Sequence, residues 1–157
     1  MAVPRFTSLI VLSLLSSPTV AADYLDVVTS QVYQTAGTPR EIASRASTCI
    51  AQNLRSGTTD APLIVSSDLD NGLIVAQTAL RFDARANEWQ IRSRFTFEAR
   101  EGRFRITQTD LEMFSPIMSR WGRFRKGGIA NNAEATFAAS ADAVAQCVIS
   151  GLKRNDW

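Results

Sequence analysis

The sequence predicts a single α+β domain in which two helices cover one face of a curved antiparallel sheet. Three observations lead to this prediction: a capped helix start near residue 38, a run of strands joined by short turns, and an alanine-rich amphipathic segment near the end. The predicted order is β-α-β-β-β-β-α. Sequential antiparallel strands with one apolar face need a cover on that face, and two amphipathic helices supply it. A length of 157 residues with 45% hydrophobic side chains fits one domain and excludes a disordered chain.

Residues 1–22 have the pattern of a secretory signal peptide, which leaves residues 23–157 as the mature domain. Arg5 supplies the positive charge, an apolar run of about ten residues follows, and small residues precede a cleavage site after Ala22, with cleavage after Ala21 as the alternative. A membrane anchor needs about 20 apolar residues, roughly twice this run. Because no cysteine lies near the cleavage site, a lipoprotein is not expected. We therefore expect a soluble periplasmic or secreted protein.

The first strand and the first helix follow the signal peptide. Residues 26–34 are rich in β-branched side chains and predict a strand. Thr38 and Glu41 have capping-box spacing with a proline between them, which predicts a helix over residues 39–55. Gly57 is expected to end this helix as a residue with positive φ.

Four further strands are predicted at residues 62–66, 73–83, 89–100 and 103–113. The turn at residues 68–72 contains Asn71-Gly72, the strongest hairpin signal in the chain. A two-residue turn at Glu101-Gly102 would pair Phe97 with Ile106, and Glu98 with Arg105. The last two strands should therefore form a hairpin with aromatic and opposite-charge pairs across it.

A long connection and a second helix complete the domain. Residues 114–131 contain Pro116 and several glycines and are read as a connecting loop. The last helix is expected from about residue 133 to 153, with Asn131 and Glu134 as a capping box. Alanines dominate its apolar stripe, which indicates close packing against a neighbouring element.

The two cysteines, Cys49 and Cys147, are predicted to form a disulfide bond. Cys49 lies on the inward face of the first predicted helix and Cys147 on the flank of the stripe of the second. Helices packed side by side lie about 8–10 Å apart, and an exported chain meets an oxidising compartment. The alternative is two separate buried cysteines that act as small hydrophobic side chains.

The sequence resembles an uncharacterised family of exported bacterial proteins with a TATA-binding-protein-like fold. The resemblance covers about residues 26–153 and lies in the helix end at 50–54, the Asp-x-Asp-Asn-Gly-Leu-Ile turn at 68–74, and the hairpin at 100–105. The family hairpin usually reads Lys-Asp-Gly-Arg-Tyr-Arg-Tyr, whereas this chain has Glu101 and Phe104 in place of the Asp and the first Tyr. The resemblance implies a fold and export. It implies neither a reaction nor DNA binding, since an exported protein meets no genomic DNA.

Basic side chains form two candidate interaction surfaces. The first lies on the outward face of the central strands, where it is either an anion-binding surface or a solvated face; its residues are Arg92, Arg94, Arg103 and Arg105. The second is a basic, aromatic loop that either contacts anionic lipid headgroups or a partner, or packs its aromatic rings back on the sheet edge; its residues are Arg120, Trp121, Arg123, Phe124, Arg125 and Lys126.

No catalytic, cofactor-binding or metal-binding residue is predicted. The chain has no histidine, which removes the commonest catalytic base and the commonest metal ligand. Two pairs of carboxylates are candidates for acid–base chemistry. Asp68 and Asp70 belong to a turn, and Glu98 and Glu112 lie far apart on neighbouring strands. We therefore expect a protein that is not an enzyme.

The expected function is that of an exported noncatalytic envelope domain that binds a protein or an envelope polymer. Removal of residues 1–22, which contain Arg5 and no acid, lowers the net charge from +2 to +1. This balance argues against nucleic acid as a partner. One alternative is a small-ligand carrier with a cavity between sheet and helices, lined by Phe95, Phe97, Phe104 and Phe137. A second alternative is a hydrolase of unrecognised type.

Overall fold

A computed structural model describes residues 23–57 and 61–151, and the predicted signal peptide at residues 1–22 lies outside this range. The residues in these two ranges form seven strands and two helices. In chain order they are β1 (Val28–Thr29), β2 (Tyr33–Gln34), α1 (Pro39–Asn53), β3 (Ile64–Asp68), β4 (Leu73–Ala84), β5 (Asn87–Arg100), β6 (Arg103–Ser115), β7 (Arg120–Gly122) and α2 (Ile129–Ser150).

The strands form one antiparallel sheet with the order β1-β6-β5-β4-β3. The short strands β2 and β7 also pair with β6, so three short segments cover its outer edge. Both helices pack on one face, where side chains from α1, α2 and the central strands share a buried core. A smaller core lies between the start of α2, β6 and the segment around Phe124. The predicted α+β fold, with two helices on one face of an antiparallel sheet, is confirmed.

The β5–β6 hairpin has the register that the sequence predicts. Phe97 pairs with Ile106 and Glu98 pairs with Arg105 across the Glu101-Gly102 turn. The Phe97 and Phe104 rings stack with centroids 4.9 Å apart. Further along, the register shifts between Arg92 and Arg94. A β-bulge accounts for this shift, since an extra residue on β6 shifts the pairing of every residue beyond it.

The turn before β4 requires glycine at one position. Gly72 has a φ of +72°, and a Cβ atom at this residue would lie 2.6 Å from the carbonyl oxygen of Ala99. Both the backbone conformation and the close approach exclude a larger side chain. The Asn71-Gly72 signal therefore marked a real turn.

The first helix begins as predicted but ends differently. The Thr38 side chain accepts a hydrogen bond from the Glu41 backbone N–H, and the Glu41 side chain accepts one from the Thr38 N–H, which confirms the capping box. The helix ends at Asn53, and Leu54 has extended backbone geometry. The prediction that Gly57 ends the helix was wrong: its N–H donates to the carbonyl of Gln77, because the chain already runs beside β4 at this point.

Three other boundaries also differ from the prediction. The single first strand at residues 26–34 is two short strands separated by residues 30–32. The connection at 114–131 contains β7, and β6 extends to Ser115. The second helix begins at Ile129 after Gly128 with no side-chain cap, so the predicted Asn131–Glu134 capping box was wrong.

A disulfide bond joins Cys49 of α1 to Cys147 of α2 with a Cα–Cα distance of 5.8 Å. This confirms both the predicted pairing and the side-by-side arrangement of the helices. Within the residues that the structure describes, neither helix is long and apolar enough to cross a bilayer.

Candidate functional site

The predicted basic face lies on the side of the sheet away from the helices, which we call the outer face. Phe95 and Phe97 are fully buried against the helices. Because side chains alternate along a strand, the arginines between and beside them point to the opposite side. Cross-strand pairing then places the arginines of β6 on that same face. The four arginines of this predicted surface, Arg92, Arg94, Arg103 and Arg105, therefore share the outer face.

Two of these four arginines form salt bridges with glutamates on the neighbouring strand. Arg92 Nε lies 2.5 Å from a carboxylate oxygen of Glu112, and an Arg105 amino group lies 2.9 Å from Glu98. Both pairs are cross-strand partners in the sheet register. Arg94 and Arg103 form no salt bridge within residues 23–57 and 61–151. The charge that remains available on this face therefore comes from Arg94 and Arg103.

A further arginine, Arg100, belongs to this face and was missed by the sequence analysis. Arg100 pairs directly with Arg103 across the Glu101-Gly102 turn, and it too lacks a carboxylate partner in the described part of the chain. The two arginines border a surface depression of about 170 Å³ together with Val32, Glu98, Phe104 and Arg105. The register that pairs Glu98 with Arg105 also sets Arg100 against Arg103, so the signal was present in the sequence.

Like charges placed directly opposite each other on a sheet are unfavourable. Arg100 and Arg103 are such a pair, and no carboxylate among the described residues offsets their repulsion, because the nearby Glu98 pairs with Arg105. A planar anion such as a carboxylate or phosphate group would offset this repulsion, because arginine donates two parallel hydrogen bonds to such groups. The hairpin end is therefore the part of the outer face best suited to hold an anion.

Arg94 lies on a second depression of about 200 Å³, which also includes Arg92, Asp110 and Glu112. Asp110 has a φ of +52°, a conformation that aspartate tolerates better than most residues, and it lies where the register of β6 shifts. Because two carboxylates share this depression with two arginines, it is close to neutral. It is a weaker anion site than the end of the β5–β6 hairpin.

The carboxylates considered for acid–base chemistry are all engaged. Asp68 accepts hydrogen bonds from the side chain and the backbone N–H of Asn71, and these bonds lower the pKa of Asp68 below its usual value. Asp70 pairs with Arg40 at 2.7 Å. A general acid at neutral pH needs a raised pKa, so the shift of Asp68 has the wrong sign for that role.

The basic, aromatic loop packs its aromatic rings back on the sheet, which is the second of the two alternatives that the sequence left open. Trp121 lies on β7 opposite Phe114, with ring centroids 5.5 Å apart, and the Arg92 guanidinium lies 4.5 Å from its ring. Phe124 is only 7% exposed and belongs to the smaller core. Phe124 was therefore wrongly included in the candidate surface, because its ring faces the interior.

The cations of this loop divide into paired and unpaired groups. Arg123 lies 2.7 Å from Asp26 and over the Tyr24 ring, and Lys126 lies 3.1 Å from Asp23. Arg120 and Arg125 are exposed and make no ion pair with any residue in the described ranges. The paired cations fasten the first residues of the domain to the loop, and the unpaired ones face solvent.

The core contains a polar chain that the sequence analysis did not identify. Thr78, Ser93 and Gln108 are buried on neighbouring central strands. The Ser93 hydroxyl lies 2.9 Å from both the Thr78 hydroxyl and the Gln108 side-chain oxygen, and the Gln108 amide donates to the carbonyl of Phe137 at 2.7 Å. These hydrogen bonds connect three strands to α2, so this row of polar side chains has a structural role.

The aromatic rings proposed for a carrier cavity are buried in the two cores. Phe95, Phe97, Phe104 and Phe137 are each at most 1% exposed, and the Tyr33 ring stacks on Phe104 with centroids 5.2 Å apart. These rings occupy the space between sheet and helices that a ligand would need. Their packing gives no support to the carrier alternative.

Comparison with known proteins shows the fold and no more. No protein-family model matches the chain, and no curated protein matches it. The structure is similar to a DUF4468 family protein from Bacteroides ovatus, with a TM-score of 0.56, 12% identity, and coverage of 82% of this chain and 88% of that one. It is also similar to a TBP-like protein from Parabacteroides distasonis, with a TM-score of 0.50, 17% identity, and coverage of 79% and 81%. These similarities confirm the TATA-binding-protein-like fold expected from the sequence resemblance.

Proposed function

We propose that this chain is an exported, noncatalytic domain of the bacterial envelope that binds an acidic envelope component through the outer face of its sheet. The acidic component is a carboxylate- or phosphate-bearing polymer, or an acidic protein segment with the same chemistry. The observation that carries this proposal is the direct pairing of Arg100 with Arg103, neither of which has a carboxylate partner among the described residues.

Two features support export. Residues 1–22 have the composition of a signal peptide, and the Cys49–Cys147 disulfide is of a kind that persists in oxidising compartments such as the periplasm. Mass measurement of the protein recovered from the periplasm tests this part. We expect a chain that begins at Ala22 or Asp23 and lacks free thiols. An intact segment from Met1 to Ala22 in that fraction would contradict export by cleavage.

The shape of the site supports a polymer or an extended segment over a small molecule. The depression beside Arg100 and Arg103 is shallow and open, at about 170 Å³. Small-molecule pockets are usually deeper clefts of about 300–1,000 Å³ that bury most of the ligand. Arg94, farther along β5, extends the line of unpaired cations on the same face. An extended anion can contact several such arginines at once.

Binding to two defined polyanions tests the site. Poly-L-glutamate and inorganic polyphosphate present carboxylate and phosphate groups respectively, and their dissociation constants can be measured at low and moderate salt. The Arg100→Gln/Arg103→Gln variant should weaken binding about tenfold, since each lost arginine removes charge-assisted hydrogen bonds. Preference for one polymer identifies the class of anion.

The Arg55→Gln/Arg85→Gln variant is the matched control, because it removes the same charge from exposed arginines that have no ion pair in the described ranges. It should change binding by less than about twofold, the effect of net charge alone. Equal weakening in both variants would show that the protein attracts polyanions without a site. Absence of binding to either polymer would overturn the proposal.

A further inference from the structure

The hairpin between β6 and β7 ends in a protruding apolar tip, formed by residues 116–119. Ile117 is 96% exposed and Met118 is 63% exposed, more than any other large apolar side chain among the described residues. The Met118 N–H lies 3.4 Å from the Ser115 hydroxyl, and Ser119 has a φ of +48°. The turn is therefore held in a conformation that presents both apolar side chains to solvent.

The stretch of chain that carries this tip is basic. No residue between Met113 and Ala133 is acidic, whereas Arg120, Arg123, Arg125 and Lys126 are basic. Arg120 comes directly after the tip and forms no ion pair within residues 23–57 and 61–151. The nearest carboxylate before the tip, Glu112, is bound to Arg92.

The polarity of the hairpin changes in steps from its tip to its base. Ile117 and Met118 lie at the tip, and the half-buried rings of Phe114 and Trp121 face each other immediately below it. The Arg92 guanidinium covers the Trp121 ring at 4.5 Å. The same order is found across a bilayer surface: aliphatic side chains enter the hydrocarbon layer, and tryptophan and arginine lie at the level of the headgroups.

We propose that this tip is a membrane-docking site, which inserts Ile117 and Met118 into the surface of a bilayer that contains anionic lipids. A convex tip needs a deep, matching pocket on a protein partner, but a fluid bilayer accepts it without one. Arg120 and Arg125, which form no ion pair within the described residues, supply the charge complementarity to anionic headgroups. With two apolar side chains inserted, the association is weak and reversible.

The docked orientation follows from the length of β6. The tip and the Arg100–Arg103 pair lie at opposite ends of this strand, which spans Arg103 to Ser115. A strand of that length extends roughly 40 Å at about 3.3 Å per residue. Docking through the tip would therefore hold the arginine pair away from the bilayer, where it remains free to bind an acidic component.

Vesicle co-sedimentation tests the docking site. The mature protein is mixed with vesicles of equal parts phosphatidylglycerol and phosphatidylcholine, or of phosphatidylcholine alone. We expect binding to the anionic vesicles, and at least about tenfold weaker partitioning of the Ile117→Ser/Met118→Ser variant, since each lost apolar side chain weakens insertion. Arg120→Gln should weaken binding to the anionic vesicles and reduce its dependence on salt.

The control variant Val27→Ser/Val65→Ser removes two other exposed apolar side chains away from the tip. It should partition within about twofold of the wild type, and all variants should keep the wild-type melting temperature, since exposed side chains contribute little to stability. Failure of the wild type to bind anionic vesicles, or wild-type binding by the tip variant, would overturn the proposal. Loss of vesicle binding in Arg100→Gln/Arg103→Gln, with the tip variant unaffected, would show that the outer face attracts the lipid instead.

Discussion

Cys49 and Cys147 are separated by 98 positions in the sequence, yet their Cα atoms lie 5.8 Å apart and a disulfide joins them. Cys49 is fully buried in the main core, and Cys147 packs at its border. The bond thus ties the helix that follows the first strands to the last helix of the domain. It holds together the two elements that form the cover of the sheet.

Removal of this disulfide should strongly destabilise the protein. The Cys49→Ala/Cys147→Ala variant should lose about 2–5 kcal/mol in the free energy of unfolding, since the bond joins residues 98 positions apart and restricts the unfolded chain. Urea denaturation of this variant and of the wild type measures the difference. Wild type treated with reductant should unfold at nearly the urea concentration of the variant. A reduced wild type as stable as the oxidised form would contradict the prediction.

The hydrogen bond from the Tyr33 hydroxyl to the Asp142 carboxylate should make stability depend on alkaline pH. Burial, then the bond to Asp142 and its negative charge, raises the pKa of Tyr33 to about 12. The ordinary value for tyrosine is about 10. Because the folded state holds this proton more tightly, its contribution is complete below pH 10 and is lost as the pH rises through 10 to 12.

Tyr33→Phe tests this prediction, because it removes the hydroxyl and keeps the ring that stacks on Phe104. We expect a loss of about 1.5–3 kcal/mol at neutral pH, the usual worth of a hydrogen bond to a charged group. The difference between wild type and variant should shrink as the pH rises from 10 to 12. A difference that stays constant over this range would show that the pKa of Tyr33 is not raised.

Features fixed by near neighbours in sequence were predictable. The Thr38–Glu41 capping box and the Glu101-Gly102 turn depend on residues a few positions apart, and the register of the β5–β6 hairpin follows from that turn. The disulfide was predictable for a different reason: only one pairing of two cysteines exists, and the fold class brings their helices together.

Features set by distant contacts were not predictable. Helix α2 begins at Ile129 without a side-chain cap, where Ala130 and Phe124 are both buried in the smaller core. No local signal marks that start. The break after β1 reflects pairing with β6, a strand about eighty residues later in the chain. At the candidate site, the arginine positions were readable by alternation, but which of them are neutralised depends on partners across the sheet.

The buried Gln108 should be hard to replace even by an apolar side chain of similar length. Gln108→Met would leave the Ser93 hydroxyl without its acceptor, whereas the Phe137 carbonyl would lose the Gln108 amide but keep the hydrogen bond from the Ser140 hydroxyl. A buried hydroxyl without its acceptor costs about 1–3 kcal/mol, so the variant should be less stable by about that amount. Chemical denaturation measures the loss. Thr107→Met, on the outer face and only partly buried, is the neighbouring control and should change stability little. Wild-type stability of Gln108→Met would show that these bonds contribute nothing.

Glycine at Ala86, in the turn between β4 and β5, should increase the stability of the protein. Arg85 and Ala86 have φ values of +52° and +61°, a left-handed pair typical of the two-residue turn that favours Asn-Gly. This conformation costs a non-glycine residue about 1–2 kcal/mol, and glycine removes that cost. Glycine also gives the unfolded chain more conformational freedom, which cancels about 0.4–1 kcal/mol of the gain in stability. Ala86→Gly should therefore raise the free energy of unfolding by about 1 kcal/mol in urea denaturation. The same change at Ala143, exposed within α2, should lower it by about 0.5–1 kcal/mol. Destabilisation by both changes would mean that the backbone of Ala86 is not left-handed in solution.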